Sequence, residues 1–327
     1  MPDRRTLHIV VPQYPLTAFL FEELQGLEDV RIVPYTVPAR RSLSGLRRGI
    51  EVYLLPWLRV SRYLDPALIA RLRAIDPQDT VLFFAIENRK DLQIMRKFIA
   101  ARDQAVWLWN PIRNYRQSAA SRLFYRWWLH ASCMRVYTFD PGDAHENGIE
   151  LAHQVYRHVQ PLAAPEGGVA PPRQDVYFAG IDKGRLATLD ALREAMEAAG
   201  LRTHFHVIPD KRRPYTAEQR ARLSDRWLSY EENLRNVAQS RAIVELLQST
   251  QRGPTIRSME AAFLGRKLIS DNLALLDSPF YHPSRMLILG HDDLARVREF
   301  IDTPLQPLDP EALRPHDIAH WIRQFQS

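Results

Sequence analysis

Short apolar runs alternate with segments of helical periodicity through the first half of the chain. Such runs are typical of strands buried on both faces of a parallel sheet. The runs lie at residues 7–11, 30–33, 81–86, 105–109 and 135–139, and the helical segments lie at 16–27, 89–101 and 121–131. The alternation predicts an α/β domain.

The second half of the chain repeats this alternation with clearer boundaries. Leu186, Leu189, Leu192 and Met196 form one face of a predicted helix that Gly200 ends. Strands are predicted at 175–181, 203–208, 242–247, 268–270 and 286–289, and further helices at 229–240, 255–264 and 316–325. The pattern predicts a second α/β domain built around a parallel sheet.

A proline-rich segment separates the two halves. Residues 161–172 contain four prolines and two glycines, which sustain neither a helix nor an inner strand. We therefore expect an N-terminal Rossmann-like domain at 1–160, a linker at 161–173, a C-terminal domain at 174–308, and a C-terminal helix at 309–327 that packs back on the first domain. Two doubly wound domains should face a central cleft, with ligands beyond the carboxyl ends of the strands.

Composition and charge narrow the function classes. No apolar run reaches the ~20 residues that a membrane span needs, and the N-terminus has no secretory pattern, so we expect a cytoplasmic protein. Cys133 is the single cysteine, which excludes an intramolecular disulfide. The net charge of +6 is carried mostly by arginine. A GC-rich genome would produce this excess, and so would an anionic partner such as a nucleotide diphosphate, an acidic glycan or a membrane surface. No nucleic-acid-binding motif is present.

The loop 182–185 follows a predicted strand and precedes a helix. Lys183, Gly184 and Arg185 place two cations and a glycine where free backbone N–H groups and the helix dipole favour a phosphate. An ordinary turn with exposed charges fits the same residues equally well.

A second strand-to-helix junction carries Thr255, Arg257 and Glu260. Thr255 can cap the helix, and Arg257 and Glu260 share one helical face. An arginine in the first turn opposes the helix dipole unless an anion binds there, which favours a ligand site; a surface ion pair is the alternative.

Several segments resemble one family. Residues 177–185, 228–232, 255–261 and 267–272, together with 109–111 and 137–144 in the first half, resemble bacterial CgeB-like glycosyltransferases of lipopolysaccharide and capsule biosynthesis, which belong to the GT-B group. The resemblance implies a GT-B fold, with the acceptor bound mainly by the first half and the donor by the second. It also implies that Glu260 holds the donor ribose. The usual pair of glutamates is incomplete here, because the earlier position falls near Gly253 and Pro254.

These features together predict a glycosyltransferase that moves a sugar from a nucleotide-sugar donor to a cell-surface glycan or lipopolysaccharide precursor. The chain has no Asp-x-Asp motif, so we expect no metal and no cofactor, with Lys183, Arg185 and Arg257 neutralising the diphosphate. Replacing Arg257 with alanine should then weaken donor binding with little loss of fold. The candidate donor-binding residues are Asp182, Lys183, Gly184, Arg185, Tyr230, Thr255, Arg257 and Glu260.

Catalytic and acceptor-binding candidates lie at strand ends in the first half. Glu87 and Asp140 each follow a predicted strand, and either could deprotonate an acceptor hydroxyl or simply cap a helix. A retaining enzyme would need no dedicated base. Gln13, Tyr14 and Asn110 are candidate acceptor contacts.

Three alternatives stay open from the sequence. The aromatic and arginine-rich segment 122–130 is interpreted as a core helix, although docking to a membrane that carries a lipid-linked acceptor would use the same residues. A nucleotide-sugar epimerase could have the same two-domain architecture. A catalytically inactive nucleotide-sugar-binding subunit would also explain the incomplete glutamate pair.

Overall fold

The computed structural model divides the chain into two compact units. The first unit comprises Met1–His153 and Ile318–Ser327, and the second comprises Gln154–Asp317. The structure describes residues 5–37, 49–50, 54–116, 118–159, 172–247 and 251–326. Most of the predicted linker at 161–173 lies outside the described residues. Residues 154–159 and 309–317 belong to the second unit.

The first unit is built on a six-stranded parallel sheet in the order β2-β1-β3-β4-β5-β6. All five residues of β3 are buried, as its unbroken apolar run predicts. The strands are β1 (Leu7–Pro12), β2 (Val30–Tyr35), β3 (Thr80–Phe84), β4 (Asp103–Leu108), β5 (Arg135–Thr138) and β6 (Glu150–Leu151).

Helices and a closing C-terminal segment pack on this sheet. The Trp107 ring on β4 stacks on Phe84 at 4.8 Å between centroids and meets the edge of Trp321 at 5.4 Å, which ties the C-terminal segment to the first unit. The α-helices are Pro15–Phe21, Leu55–Trp57, Pro66–Arg73, Arg89–Arg96, Ile112–Tyr115, Ala119–Ala131, Pro141–Asn147 and Ile318–Trp321, with 3₁₀ turns at Glu22–Leu24 and Ile322–Phe325.

The second unit has a five-stranded parallel sheet in the order β11-β10-β9-β7-β8. Its strands are β7 (Gln174–Ile181), β8 (Thr203–Ile208), β9 (Ser240–Glu245), β10 (Lys267–Ser270) and β11 (Met286–Ile288). Its α-helices are Leu186–Ala198, Ala217–Ala221, Tyr230–Ala238, Ile256–Phe263, Val297–Asp302 and Pro310–Leu313, with 3₁₀ turns at Leu273–Asp277, Leu294–Arg296 and Arg314–His316.

The closing helix predicted at 316–325 begins two residues later, at Ile318, and continues as a 3₁₀ turn at Ile322–Phe325. Asp317 is extended and pairs with Tyr156, whose N–H donates to the carbonyl of His316 at 2.8 Å, so the helical pattern is interrupted there. The predicted helix at 89–101 ends at Arg96, and the predicted strand at 242–247 lies at Ser240–Glu245. The longest helices in the described part of the chain have 13 residues, and none of the described helices is long and apolar enough to cross a membrane.

Candidate functional site

A cation-lined cavity lies at the carboxyl ends of β7 and β8 in the second unit. Its volume is ≈ 950 Å³, and its acidic lining residues are Asp210 and Asp225. The cationic lining residues outnumber them and are Lys183, Arg185, Lys211, Arg212, Arg213 and Arg220. This is the edge of a parallel α/β sheet at which ligands commonly bind.

The loop after β7 makes a tight turn into this cavity. The buried Asp182 carboxylate accepts the Leu186 N–H at 2.6 Å and the Tyr215 hydroxyl at 2.8 Å, so it shapes the loop. Gly184 has a φ of +88°, and a Cβ there would lie 2.3 Å from the guanidinium of Arg213. Glycine is therefore favoured by the positive φ, and a Cβ there would displace the Arg213 guanidinium from its position beside the loop.

The arginine after this loop is engaged within the protein. The Arg185 guanidinium donates to the carbonyls of Ile181 at 2.6 Å and Asp182 at 3.1 Å, and also to that of Leu246. These bonds join the end of β7 to the chain that follows β9. Arg185 thus supplies a fixed positive charge, with three of its five N–H donors engaged by backbone carbonyls.

Of the remaining cations, Arg220 pairs with Asp225 at 2.6 Å, whereas four others have no such partner among the described residues. Within the described residues, Lys183, Lys211, Arg212 and Arg213 form no ion pair. The pKa of Lys183 is lowered, first by partial desolvation and then by the charges of Arg185 and Arg212. A bound anion would relieve this repulsion, so the arrangement favours an anionic ligand.

The second candidate junction forms a buried network around Glu260. The Glu260 carboxylate is 0% exposed and accepts from Tyr230 at 2.9 Å and Asn233 at 3.1 Å, and also from Arg257. The Tyr230 hydroxyl also bonds that of Tyr156 at 2.8 Å. Glu260 is therefore satisfied by three donors of its own unit.

Arg257 connects this network to β7. Its guanidinium donates to the Ala179 carbonyl at 2.8 Å and to Asn233 at 3.2 Å, in addition to Glu260. Burial lowers the pKa of Arg257, but the Glu260 carboxylate outweighs it and the pKa is raised overall. The contacts tie the helix Ile256–Phe263 to β7.

A further buried carboxylate, Glu245, lies at the end of β9. It accepts hydrogen bonds from Ser258 at 2.7 Å and Ser270 at 2.5 Å and from the hydroxyl of Thr255, the residue that caps the helix Ile256–Phe263. Burial raises the pKa of Glu245, while the three hydroxyls oppose that rise. Thr255 is thus oriented by Glu245, which lies 10 residues earlier in the chain.

In the first unit, Glu87 and Asn110 lie together at the ends of β3 and β4. The Glu87 carboxylate accepts the backbone N–H of Asn110 at 2.6 Å and its side-chain amide at 3.1 Å. Burial raises the pKa of Glu87 to about 7, and the charge of Asp143 adds to the rise while the Asn110 bonds oppose it. Ala85, two residues before Glu87, has a φ of +56°, a strained conformation of the kind found at functional sites. This carboxyl can exchange a proton near neutral pH.

The other candidate base has a capping role. Asp140 is 1% exposed and its carboxylate accepts the Asp143 N–H at 3.0 Å at the start of the helix Pro141–Asn147. Asp143 is itself buried, and burial raises its pKa to about 7. One Asp143 oxygen accepts from Ile112 and Asn147, whereas the other has no hydrogen-bond partner in the part of the chain that the structure describes.

The candidate acceptor contacts Gln13 and Tyr14 line a separate cavity of ≈ 660 Å³ in the first unit. Gln13 accepts a hydrogen bond from Thr36 at 2.8 Å, and Tyr14 is about half exposed. The lining is mostly apolar and includes Phe21 and Leu24. Asn110 lies with Glu87 instead. No group of three or more potential metal ligands occurs among the residues that the structure describes.

Comparison with known proteins decides the fold. No family model and no curated protein matches the chain. Among solved structures, Anabaena Alr3699/HepE in complex with UDP-glucose has a TM-score of 0.56 at 11% identity, with 98% of each chain covered. AviGT4, a glycosyltransferase involved in avilamycin A biosynthesis, has a TM-score of 0.53 at 12% identity over 98% of this chain and 97% of that chain.

The chain has the GT-B fold. Against this fold, sequence reasoning missed Lys211, Arg212 and Arg213, which line the cavity from the loop after β8. The signal was present, because the cationic run directly follows a predicted strand. It also missed Asn233 and Glu245, whose hydrogen-bond partners come from distant parts of the second unit.

Proposed function

We propose that the chain is a glycosyltransferase that moves a sugar from a nucleotide-sugar donor to a cell-surface glycan or lipopolysaccharide precursor. The observation that carries the proposal is the cation-lined cavity, where four unpaired cations surround a space large enough for a nucleotide sugar. Alr3699/HepE, which shares the GT-B fold, forms a complex with UDP-glucose, and this supports a nucleotide-sugar donor for the present chain. The electrostatics of the cavity favour a diphosphate over a neutral ligand.

The donor diphosphate would contact Lys183 and the cationic run Lys211, Arg212 and Arg213. Developing negative charge on the leaving diphosphate would be stabilised by these side chains, so we propose a transfer that needs no bound metal. Arg185 would add a fixed charge, because three of its N–H donors hold it against backbone carbonyls at the lining of the cavity.

We propose a supporting role for the network of Arg257, Glu260 and Tyr230, without direct contact with the donor. Its members bond one another, so they would support the ends of β7 and the helix Ile256–Phe263 while the cavity cations contact the donor. This changes the expectation for Arg257→Ala from a loss of donor affinity to a loss of stability.

Glu87 is the group that we propose as the general base. Its carboxylate would take the proton of the acceptor hydroxyl while that oxygen bonds to the anomeric carbon and the nucleoside diphosphate leaves with the electrons of the broken C–O bond. A pKa of about 7 suits a base at neutral pH. We propose a glycan or lipid-linked acceptor that Gln13 and Tyr14 contact at their apolar cavity. A lipid-linked acceptor would bring the protein to the surface of a membrane.

Nucleotide binding to the full chain tests the donor site. We expect one of UDP, GDP, dTDP, CMP or their sugar conjugates to raise the melting temperature selectively, with or without EDTA. Lys183→Ala and Arg213→Ala should each weaken that binding about tenfold or more in titration calorimetry, because each loses a hydrogen bond to a charged group. Arg296→Ala, which removes an exposed arginine paired with Glu299, is the matched control and should bind normally.

Four outcomes would contradict the proposal. If no nucleotide stabilises the protein, or if Arg296→Ala weakens binding as much as Arg213→Ala, the cavity is not the donor site. Conversion of the bound sugar nucleotide into a second sugar nucleotide without any acceptor would indicate an epimerase. Binding without release of nucleoside diphosphate under any acceptor would indicate an inactive subunit.

A further inference from the structure

The helix Ala119–Ala131 of the first unit has two apolar faces. One face is buried and contains Tyr125, Trp128 and Leu129, as the core-helix interpretation predicts. The opposite face is exposed: Leu123 is 69% exposed and Trp127 is 63% exposed, four residues later on the same side of the helix. Packing of the sheet therefore accounts for half of the aromatic residues in this segment, and the exposed half needs another explanation.

Exposed apolar side chains continue beyond the end of this helix. Ala131, four residues after Trp127, lines a cavity of ≈ 440 Å³ together with Trp57, which is 72% exposed. Leu54 and Leu58, on either side of Trp57 in the chain, are about half exposed. The two segments form one surface, which we call the apolar stripe and define as Leu123, Phe124 and Trp127 with Trp57.

Arginine is the predominant charged residue in the two segments that carry the apolar stripe, and one of these arginines, Arg135, pairs with Asp103 at 2.9 Å. The sequence contains no aspartate or glutamate between residues 52 and 64 or between residues 104 and 139. The arginines of these two segments are Arg59, Arg62, Arg113, Arg116, Arg122, Arg126 and Arg135. The guanidinium of Arg89 also lies 5.0 Å from the ring of Phe124. An acidic neighbour, Glu146, pairs with Arg113 at 2.7 Å and is thereby neutralised.

We propose that the apolar stripe docks the first unit onto the surface of a membrane that contains anionic lipids. Trp127, Phe124 and Leu123 would enter the interfacial layer, where aromatic rings are favoured, and the arginines would bind lipid phosphates. A large exposed apolar surface in an arginine-rich part of the chain complements such a membrane surface in both respects. The donor cavity lies in the other unit, so the proposal stands or falls independently of the proposed donor site.

Sedimentation of the full chain with lipid vesicles tests this docking. We expect binding to vesicles of phosphatidylcholine and phosphatidylglycerol, much weaker binding to phosphatidylcholine alone, and a loss of binding as the salt concentration rises. The double variant Leu123→Ala/Trp127→Ala should bind at least about tenfold more weakly, because two large apolar side chains no longer leave water. Its melting temperature should stay near that of the wild type, since both side chains are exposed.

The matched control is Leu273→Ala/Trp227→Ala in the second unit. Leu273 and Trp227 are 56% and 64% exposed, so the control removes apolar groups of the same types and similar exposure. It should retain vesicle binding. An equal loss in both double variants, or undiminished binding of Leu123→Ala/Trp127→Ala, would overturn the proposal.

A protein partner is the competing occupant. If the wild type ignores vesicles but sediments as a dimer that Leu123→Ala/Trp127→Ala dissociates, the stripe is a contact between two copies and the membrane proposal is wrong. Calorimetry of the same variant with nucleotides in vesicle-free solution reports on the donor site alone. Lost vesicle binding with retained nucleotide binding would separate the two surfaces.

Discussion

Replacing Arg257 with alanine separates a structural role of the Glu260 network from a role in binding the donor. In the wild type, the Glu260 carboxylate is fully buried and receives donors from Arg257, Tyr230 and Asn233. Without the guanidinium, that carboxylate keeps two neutral donors and loses its countercharge. The Ala179 carbonyl on β7 loses its donor as well.

The expected loss follows from the burial of Glu260. Removing one partner of a buried ion pair costs about 3–5 kcal/mol, because the remaining charge is left uncompensated. In a unit of this size about 1 kcal/mol corresponds to a shift of roughly 2–4 °C. We therefore expect Arg257→Ala to lower the melting temperature of the second unit by about 10 °C.

Calorimetric unfolding and nucleotide titration are the assays. The double variant Arg257→Ala/Glu260→Gln should recover part of the loss, since the buried charge is removed along with its partner. Arg296→Ala is the matched control: Arg296 and Glu299 have the same three-residue spacing on the surface, and we expect no measurable change in stability. If Arg257→Ala unfolds at the wild-type temperature while its nucleotide affinity falls, the reasoning is refuted and Arg257 is a donor ligand.

Three further predictions follow from single residues. Asp143 holds its proton in the folded state up to a pH of about 7, whereas the unfolded chain loses it near the ordinary pKa of 3.8, so stability falls as pH rises between these values. Asp143→Asn should therefore raise the melting temperature at pH 8 but change it little at pH 4. An equal rise at both pH values would contradict this. Glu87→Gln should abolish sugar transfer while keeping nucleotide affinity, and the wild-type rate should rise with pH through about 7, as a pH–rate profile would show. In calorimetry, Gly184→Ala should lower nucleotide affinity and stability more than Gly265→Ala. Both glycines have a positive φ, but of the two new Cβ atoms only that at residue 184 would lie within 4 Å of a described side chain, that of Arg213. Equal losses in the two variants would show that the contact between residues 184 and 213 is unimportant.

The sequence predicted the loop after β7 better than the cavity around it. Lys183 and Gly184 follow an apolar run and precede a helical pattern, so their position at a sheet edge could be predicted from local order. The contact between Gly184 and Arg213 could not, since it requires β8 to pair beside β7 and the next loop to return to the same edge.

The network around Glu260 shows the same limit for a helix. The spacing of Arg257 and Glu260 correctly predicts that they share a face, and they form an ion pair. Periodicity does not specify what lies against that face, and here Asn233 and Tyr230 from another helix complete the burial. The role of Glu245 could not be predicted for a related reason. A single acid within an apolar strand pattern does not indicate which three hydroxyls the fold brings to it.

The carboxylates and cations at the carboxyl ends of the two sheets differ in how many hydrogen-bond or ion-pair partners they have within the protein. This difference distinguishes groups that stabilise the fold from the groups that we propose to take part in binding and catalysis. Glu260 and Glu245 each accept hydrogen bonds from three donors of the second unit, so both contribute to its packing. Glu87 stays partly exposed with a pKa near neutrality, and Lys183 and Arg213 have no acidic partner among the described residues. An anion with more than one charge would compensate these cations, as the proposed donor site requires. The nucleotide titration of Lys183→Ala and Arg213→Ala is the direct test of that proposal.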